Sequence, residues 1–201
     1  MSLKTFTIGV ALVASTALIT HSLTSQDGDA PKFANKMEEM MAAMAAGMPG
    51  EHHKELAQTA GEWDIASSYW MDPSMPAEKA PAKSEIKMIL GGRYMFETFT
   101  MDSMGGPFEG HLIMGYNNIT KEYESIWIDN MSSGMSYTSG ASDGHGNYEM
   151  NGTKVDVRTP RGRPFRMTTA QNEDGTVTFK MFDTDHDGKE MLIMENVYTR
   201  S

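Results

Sequence analysis

From Gly61 onward the apolar residues keep the period of a strand. In "TVTFKMF" Val177, Phe179 and Met181 share one face while Thr178 and Lys180 take the other, the alternation of a half-buried strand. Ten such runs occur, near residues 62–70, 84–90, 93–101, 108–116, 123–129, 135–140, 148–157, 165–171, 177–182 and 191–200. Turn signals such as "GG", "GGP", "NN", "DGHGN", "RGRP", "NEDG" and "DHDG" separate them. No helical stretch interrupts the series, so nothing is available for parallel crossovers and the strands form an antiparallel meander. About ten strands curl or close rather than stay flat. The expected fold is therefore all-β, an antiparallel up-and-down barrel of about ten strands, with a two-sheet sandwich as the alternative. In "EGHLIMGYN" Leu112, Ile113 and Met114 are apolar on both faces. A barrel with a filled or ligand-holding interior, and a helix over one wall or end, accommodates them.

Before Gly61 the period changes. Met37, Met40, Met41, Met44 and Met48 recur three and four apart, which places them on one stripe of a short helix ended by Gly47 and Pro49. A second short helix is expected at "EHHKELAQTA". Ahead of both, "MSLKTFTIGVALVASTALITHSLTSQ" has Lys4, then an apolar run from Phe6 to Ile19, then small and polar residues. That is the layout of a secretory signal peptide, and the run is shorter than the roughly 20 residues of a membrane span. The expected organisation is a signal peptide over 1–26, a linker and Met-rich helix over 27–50, and one barrel domain over 51–201. Export to the periplasm or the medium follows, with no stable membrane span after cleavage.

Composition sharpens this picture. There is no cysteine, so neither disulfides nor lipid attachment through cysteine is available, and the core alone must stabilise the domain. The formal net charge is −10 with acidic residues spread along the chain, which argues against nucleic acid and anionic membranes as partners. Methionine is abundant, at 20 residues. Soft thioethers bind Cu(I), but only Leu56, Leu90, Leu112 and Leu192 remain after the signal, so methionine is expected to replace leucine as core filler.

"DTDHDG" sets Asp183, Asp185 and Asp187 at alternate positions before Gly188. A calcium loop needs a bidentate Glu at position twelve, where this chain has Met194, and Glu195 falls one residue late. The stretch is expected to be a hairpin turn, with the three aspartates as weak metal candidates and no cofactor. The histidines show no close metal-ligand spacing, and the Ser- and Gly-rich run from Met131 has no G-x-S-x-G elbow. Glu97 and Glu109 lie on strands. Either would be a functional candidate if it faced the interior, and an ordinary surface charge otherwise.

The segments "GEWDIASSYW", "LGGRYMFETF", "GGPFEGHLIMGYNNITKEYESIWIDNMSSGM", "GASDGHG" and "ENVYTR" resemble domain-of-unknown-function family 1579, a group of lipocalin-like barrels. That family shows Gly-Tyr-Asp where this chain has Asn117, an equivalent turn former. The resemblance implies a fold but no activity, and no catalytic residue follows from it. It does make Gly61-Glu62-Trp63 similar to the Gly-x-Trp signature of lipocalins, which implies that Arg200 lies over the Trp63 ring and closes one end. By fold analogy the interior would hold a small apolar or amphipathic ligand, lined by Tyr69, Phe96, Phe99, Tyr116 and Trp127. The alternative is a structural or protein-interaction module that docks through the Met helix. Ligand identity and oligomeric state stay open.

Overall fold

The computed structural model describes residues 30–72, 74–103, 106–157, 159–184 and 188–201. The expected signal peptide lies outside them. Within Met1–Lys32 the described residues, 30–32, have no regular structure, and Phe33–Ser201 form one unit. Among the described residues ten antiparallel strands follow one another in the order of the chain: β1 (Gly61–Tyr69), β2 (Glu78–Ile89), β3 (Tyr94–Ser103), β4 (Gly106–Asn117), β5 (Glu122–Asp129), β6 (Ser136–Ser142), β7 (Tyr148–Lys154), β8 (Arg163–Gln171), β9 (Val177–Thr184) and β10 (Glu190–Arg200). Each pairs with the next, and β10 pairs with β1, so the sheet is a closed barrel.

β2 begins six residues earlier than the apolar pattern suggested, because "EKAPAK" has no apolar alternation and contains Pro81. Pro81 is tolerated by its place. It pairs with Ala66 of β1, and pairing with β3 starts only at Ala82, so its missing N–H removes no bond on that side.

The period of two sorts the faces. Trp63, Ile65 and Ser67 are buried while Glu62, Asp64 and Ala66 are exposed. The runs that are apolar on both faces have a structural counterpart: Phe96, Ile113, Ile126 and Tyr137 are successive cross-strand neighbours on the outer wall. That row leaves Ile113, Ile126 and Tyr137 exposed.

Two helices precede the barrel, α1 (Lys36–Ala46) and α2 (Glu51–Ala57). Asn35 caps α1 by accepting from the Glu38 N–H at 3.0 Å. No residue of α1 is buried, and Met37, Met40, Met41, Met44 and Met48 are 49–67% exposed. The core-filler expectation therefore fails for this helix, whereas it holds for Met95, Met114 and Met150 on the strands. The reason is how α1 is held: Arg93 Nε donates to the Gly47 carbonyl at 2.8 Å, and Asn118 Nδ2 donates to the Ala46 and Met48 carbonyls. These contacts fix its carboxyl end and leave the stripe uncovered. α2 instead enters one end of the barrel with His53, Glu55 and Leu56 buried, packed against β2, β3 and β4.

At that end the first and last strands lock together. Trp63 and Arg200 are register partners, the guanidinium carbon lies 4.4 Å from the indole centroid, and the Trp63 Nε1–H donates to the Thr59 carbonyl at 2.9 Å. Arg200 also donates to the carbonyls of Ala60 and Gln58. It thereby satisfies the orphan acceptors where α2 ends. Gly61 has φ of 139°, and a Cβ there would sit 2.7 Å from the Arg200 guanidinium, so only glycine admits this arrangement. Replacing Arg200 by Met is expected to lower the unfolding free energy by about 1–3 kcal/mol, through the lost cation–π contact and the two carbonyls left unpaired. Arg200→Lys should recover only part, because it lacks the planar fork. Urea denaturation of both variants measures this.

Candidate functional site: the barrel interior

The interior has three storeys. At the α2 end Leu56, Trp63, Ile86, Met95, Met114, Tyr123, Tyr148, Met150 and Val177 form a buried cluster. The Glu55 carboxylate sits among them and accepts from the Tyr123 and Ser142 hydroxyls and, at 3.0 Å, from the Gly146 N–H. Burial alone would raise its pKa, but the hydrogen bonds from Ser142, Tyr123 and Gly146 outweigh it and hold the group below the usual glutamate value. Burial first, then the Glu55 hydrogen bond, pushes the Tyr123 hydroxyl far up. His52 completes the seal, stacked on Tyr116 at 3.9 Å with Nδ1 3.0 Å from the Tyr123 hydroxyl.

At mid-height a polar group lies inside the wall. Glu97 is buried, accepts from Ser84 Oγ at 2.7 Å and meets the Tyr198 hydroxyl at 3.3 Å. Burial raises the Glu97 pKa against the pull of these two hydrogen bonds. Asn196 and Ser67 are register partners on the same inward face, both buried, and Asn196 Oδ1 and Ser67 Oγ have no hydrogen-bond partner.

Towards the other end the inward residues Tyr69, Met101, Phe108, Trp127, Met181 and Met194 are only half-buried. Phe99, Phe108 and Trp127 pack there with ring centroids 6.0–6.3 Å apart. Gly110 makes room for them, since a Cβ at that position would come within 2.2 Å of the Trp127 ring. The rim is polar: Tyr69 donates to Glu78 at 2.9 Å, and Trp127 Nε1 donates to Asp129 at 2.8 Å. Asp183 is paired with Lys154 at 2.6 Å and with Arg163, which also reaches Asp156.

The residues expected to line a ligand site separate into four places. Phe99 and Trp127 meet in the open half, Tyr69 stands at the rim, and Tyr116 lies under the plug. Phe96 belongs to the outer wall, stacked on His111 at 5.3 Å with Lys87 above it, because its inward neighbours are Met95 and Glu97. Of the two strand carboxylates, Glu97 faces in, whereas Glu109 is outside, 3.1 Å from His111 Nε2. Asp183 is no turn ligand: it is buried inside the barrel with its charge compensated by two cations. Asp185 and Asp187 lie outside the described residues. Among the described residues no group of three or more His, Asp or Glu is placed to hold a metal. A groove of about 640 Å³ over β1–β4 is lined by outward residues such as Asp64, Pro81, Lys83 and Glu109 and also touches the inward Met101 and Phe108; Ser67, Glu97 and Asn196 do not line it. Glu55, Phe108, Ser67 and Asn196 were not anticipated. Glu55 could not be, since its donors are 68, 87 and 91 residues away in the chain.

Two of the interior carboxylates, Glu55 and Glu97, shift in opposite directions, which fixes the sign of two pH effects. Glu97 keeps its proton in the folded state above the ordinary glutamate range, so folding takes up a proton there and stability falls as pH rises through the raised value. Glu55 is depressed, so its contribution is present above the ordinary range and lost as pH falls through the folded value. Glu97→Gln is expected to remove the loss at rising pH and leave the acid limb. Glu55→Gln should cost about 1–3 kcal/mol at neutral pH and flatten the acid limb. Thermal and urea unfolding across a pH series check both.

The family model described as "Protein of unknown function (DUF1579)" matches residues 48–200. No curated protein matches the chain. The matched segment includes the plug helix and all ten strands, and with them the inward groups described above. The chain belongs to the DUF1579 family, and its fold is a closed ten-stranded antiparallel barrel.

Proposed function

We propose that the protein is an exported, non-enzymatic carrier that holds a small apolar or amphipathic molecule inside its barrel. One observation carries this reading: towards the end away from α2, the inward Met101, Phe108, Trp127, Met181 and Met194 are half-buried around a smaller buried cluster of Ile65, Ala82 and Phe99, whereas the larger buried cluster lies at the α2 end. A sealed floor beneath an apolar, partly accessible wall with a polar rim has the character of a small-molecule site. Phe99, Phe108 and Trp127 supply flat apolar surface there, and Met101, Met181 and Met194 are unbranched and adapt their shape to a guest. The amino-terminal sequence supports export, and the absence of cysteine suits a chain that must fold in an oxidising compartment without disulfides.

A second reading rests on a different observation. The methionine stripe of α1 is uncovered and the outer row Ile113, Ile126 and Tyr137 is exposed, which suits a protein-interaction module.

An environment-sensitive apolar dye titrated into the protein should bind saturably at one site and quench Trp127. Phe108→Asp should weaken that binding at least about tenfold, the cost of a charge placed in an apolar wall. Absence of saturable binding would overturn the reading. Native mass spectrometry of protein taken from cell-envelope extract separates the two alternatives. An added mass of a few hundred daltons, lost in Phe108→Asp, supports the carrier, whereas a protein partner lost on Met40→Glu and Met44→Glu supports the module.

A further inference from the structure

The carrier reading leaves the chemistry of the ligand undefined, and the mid-height polar group narrows it. Ser67 and Asn196 are 2% and 3% exposed and face each other across the β1–β10 seam, on the inward side. Neither Ser67 Oγ nor Asn196 Oδ1 has a partner. The Asn196 amide nitrogen is already engaged, by Met194 Sδ at 3.7 Å and by the Tyr198 hydroxyl on the same face, so the unpartnered groups are its carbonyl and the Ser67 hydroxyl. A free carboxamide carbonyl facing an unpartnered hydroxyl is an edge prepared for a group that offers a donor beside an acceptor. Leaving such groups buried and unpaired is costly, and the great majority of buried polar atoms are satisfied. Next to this pair, the Tyr198–Glu97–Ser84 chain presents a carboxyl group and two hydroxyls. Among the described residues the interior charges are already engaged, Glu97 with Ser84 and Tyr198, Glu55 with Tyr123 and Ser142, and Asp183 with Lys154 and Arg163, so a charged headgroup would gain no uncommitted counter-charge there.

Access runs from the open mouth. Tyr69 and Met194 are the next register partners towards the rim, both half-buried, and Met181 pairs with Met194 on the same face. Met194 is unbranched, so rotation about its side-chain bonds would open that route. We propose that Asn196 and Ser67 form the headgroup subsite of the barrel, and that its ligand is an uncharged amphiphile carrying a carboxamide-type donor and acceptor pair on an apolar chain. The inference rests on the carrier reading. It adds that the polar end of the ligand travels inward, to mid-barrel, and the tail packs against Phe99, Phe108 and Trp127.

The test is competition against the apolar dye by decanamide, decanoate and decyltrimethylammonium, using the full chain and its Asn196→Leu and Ser67→Ala variants. Decanamide should compete at least about tenfold better than either charged analogue, the worth of one buried hydrogen bond. Asn196→Leu should abolish that preference while the dye still binds, and Ser67→Ala should reduce it. Because Asn196→Leu removes an unpaired polar group, its melting temperature without ligand should be equal to or above that of the parent. Equal competition by all three amphiphiles, or an undiminished preference in both variants, overturns the subsite and leaves the carrier reading standing. No dye binding to the parent protein overturns both. Should Asn196→Leu fail to fold, Ser67→Ala decides: an unchanged preference there overturns the subsite.

Discussion

Glu55 brings a charge into the end of a barrel, and the rest of the architecture is organised around satisfying it. A buried carboxylate without partners would cost several kcal/mol or give up its charge. Here Tyr123 from β5, Ser142 from β6 and the Gly146 N–H from the following turn all donate to it, while Leu56 next to it fills the apolar space below. The helix is thereby tied to strands that lie far from it in sequence. Since α2 leads directly into β1, and β1 is the strand on which the barrel closes, the same contact positions the seam at which Trp63 and Arg200 meet. Plug and closure are one construction.

Sealing one end divides the interior. Below lies the larger buried cluster; above, Met101, Phe108, Trp127, Met181 and Met194 are only half-buried. The mid-height group sits at the boundary between them, and a core selected for stability alone would hold apolar residues at Ser67, Glu97 and Asn196. Glu97 is destabilising at high pH, and the buried Asn196 carbonyl accepts no hydrogen bond from the groups around it. Stability given up at such positions is a common accompaniment of a binding site. This physical tension, together with the resemblance of the floor and rim to a calyx, connects the fold to the carrier reading.

Much of this was legible in the sequence. The alternation in β1 and β9, the turn residues between runs and the lack of helical stretches led to a closed antiparallel barrel. The same period put Ser67 in line with Trp63 and Ile65, and Asn196 in line with Tyr198, so their inward position was readable even though their significance was not. Other features depended on tertiary contacts. The Met stripe of α1 has the spacing of a core-facing helix, yet among the described residues none covers it, because Arg93 and Asn118 hold the helix by its end. Phe96 was assigned to the interior by residue type alone, although the adjacent Glu97 and Met95 require it to face out. Glu55 had no local signal. A glutamate on a short helix reads as solvated until three donors from distant strands and turns are seen around it.

In the carrier reading Glu55 latches the barrel floor and the opposite mouth admits small molecules. Since the chain has no cysteine, single cysteines report access directly. Met194→Cys, near the mouth, and Met114→Cys, above the plug, would be exposed to a small uncharged thiol reagent in the folded protein, with and without Glu55→Ala. The account predicts rapid modification at 194, protection at 114, and loss of that protection when Glu55 is removed. Equal protection at both positions, or protection at 114 that survives Glu55→Ala, would contradict it.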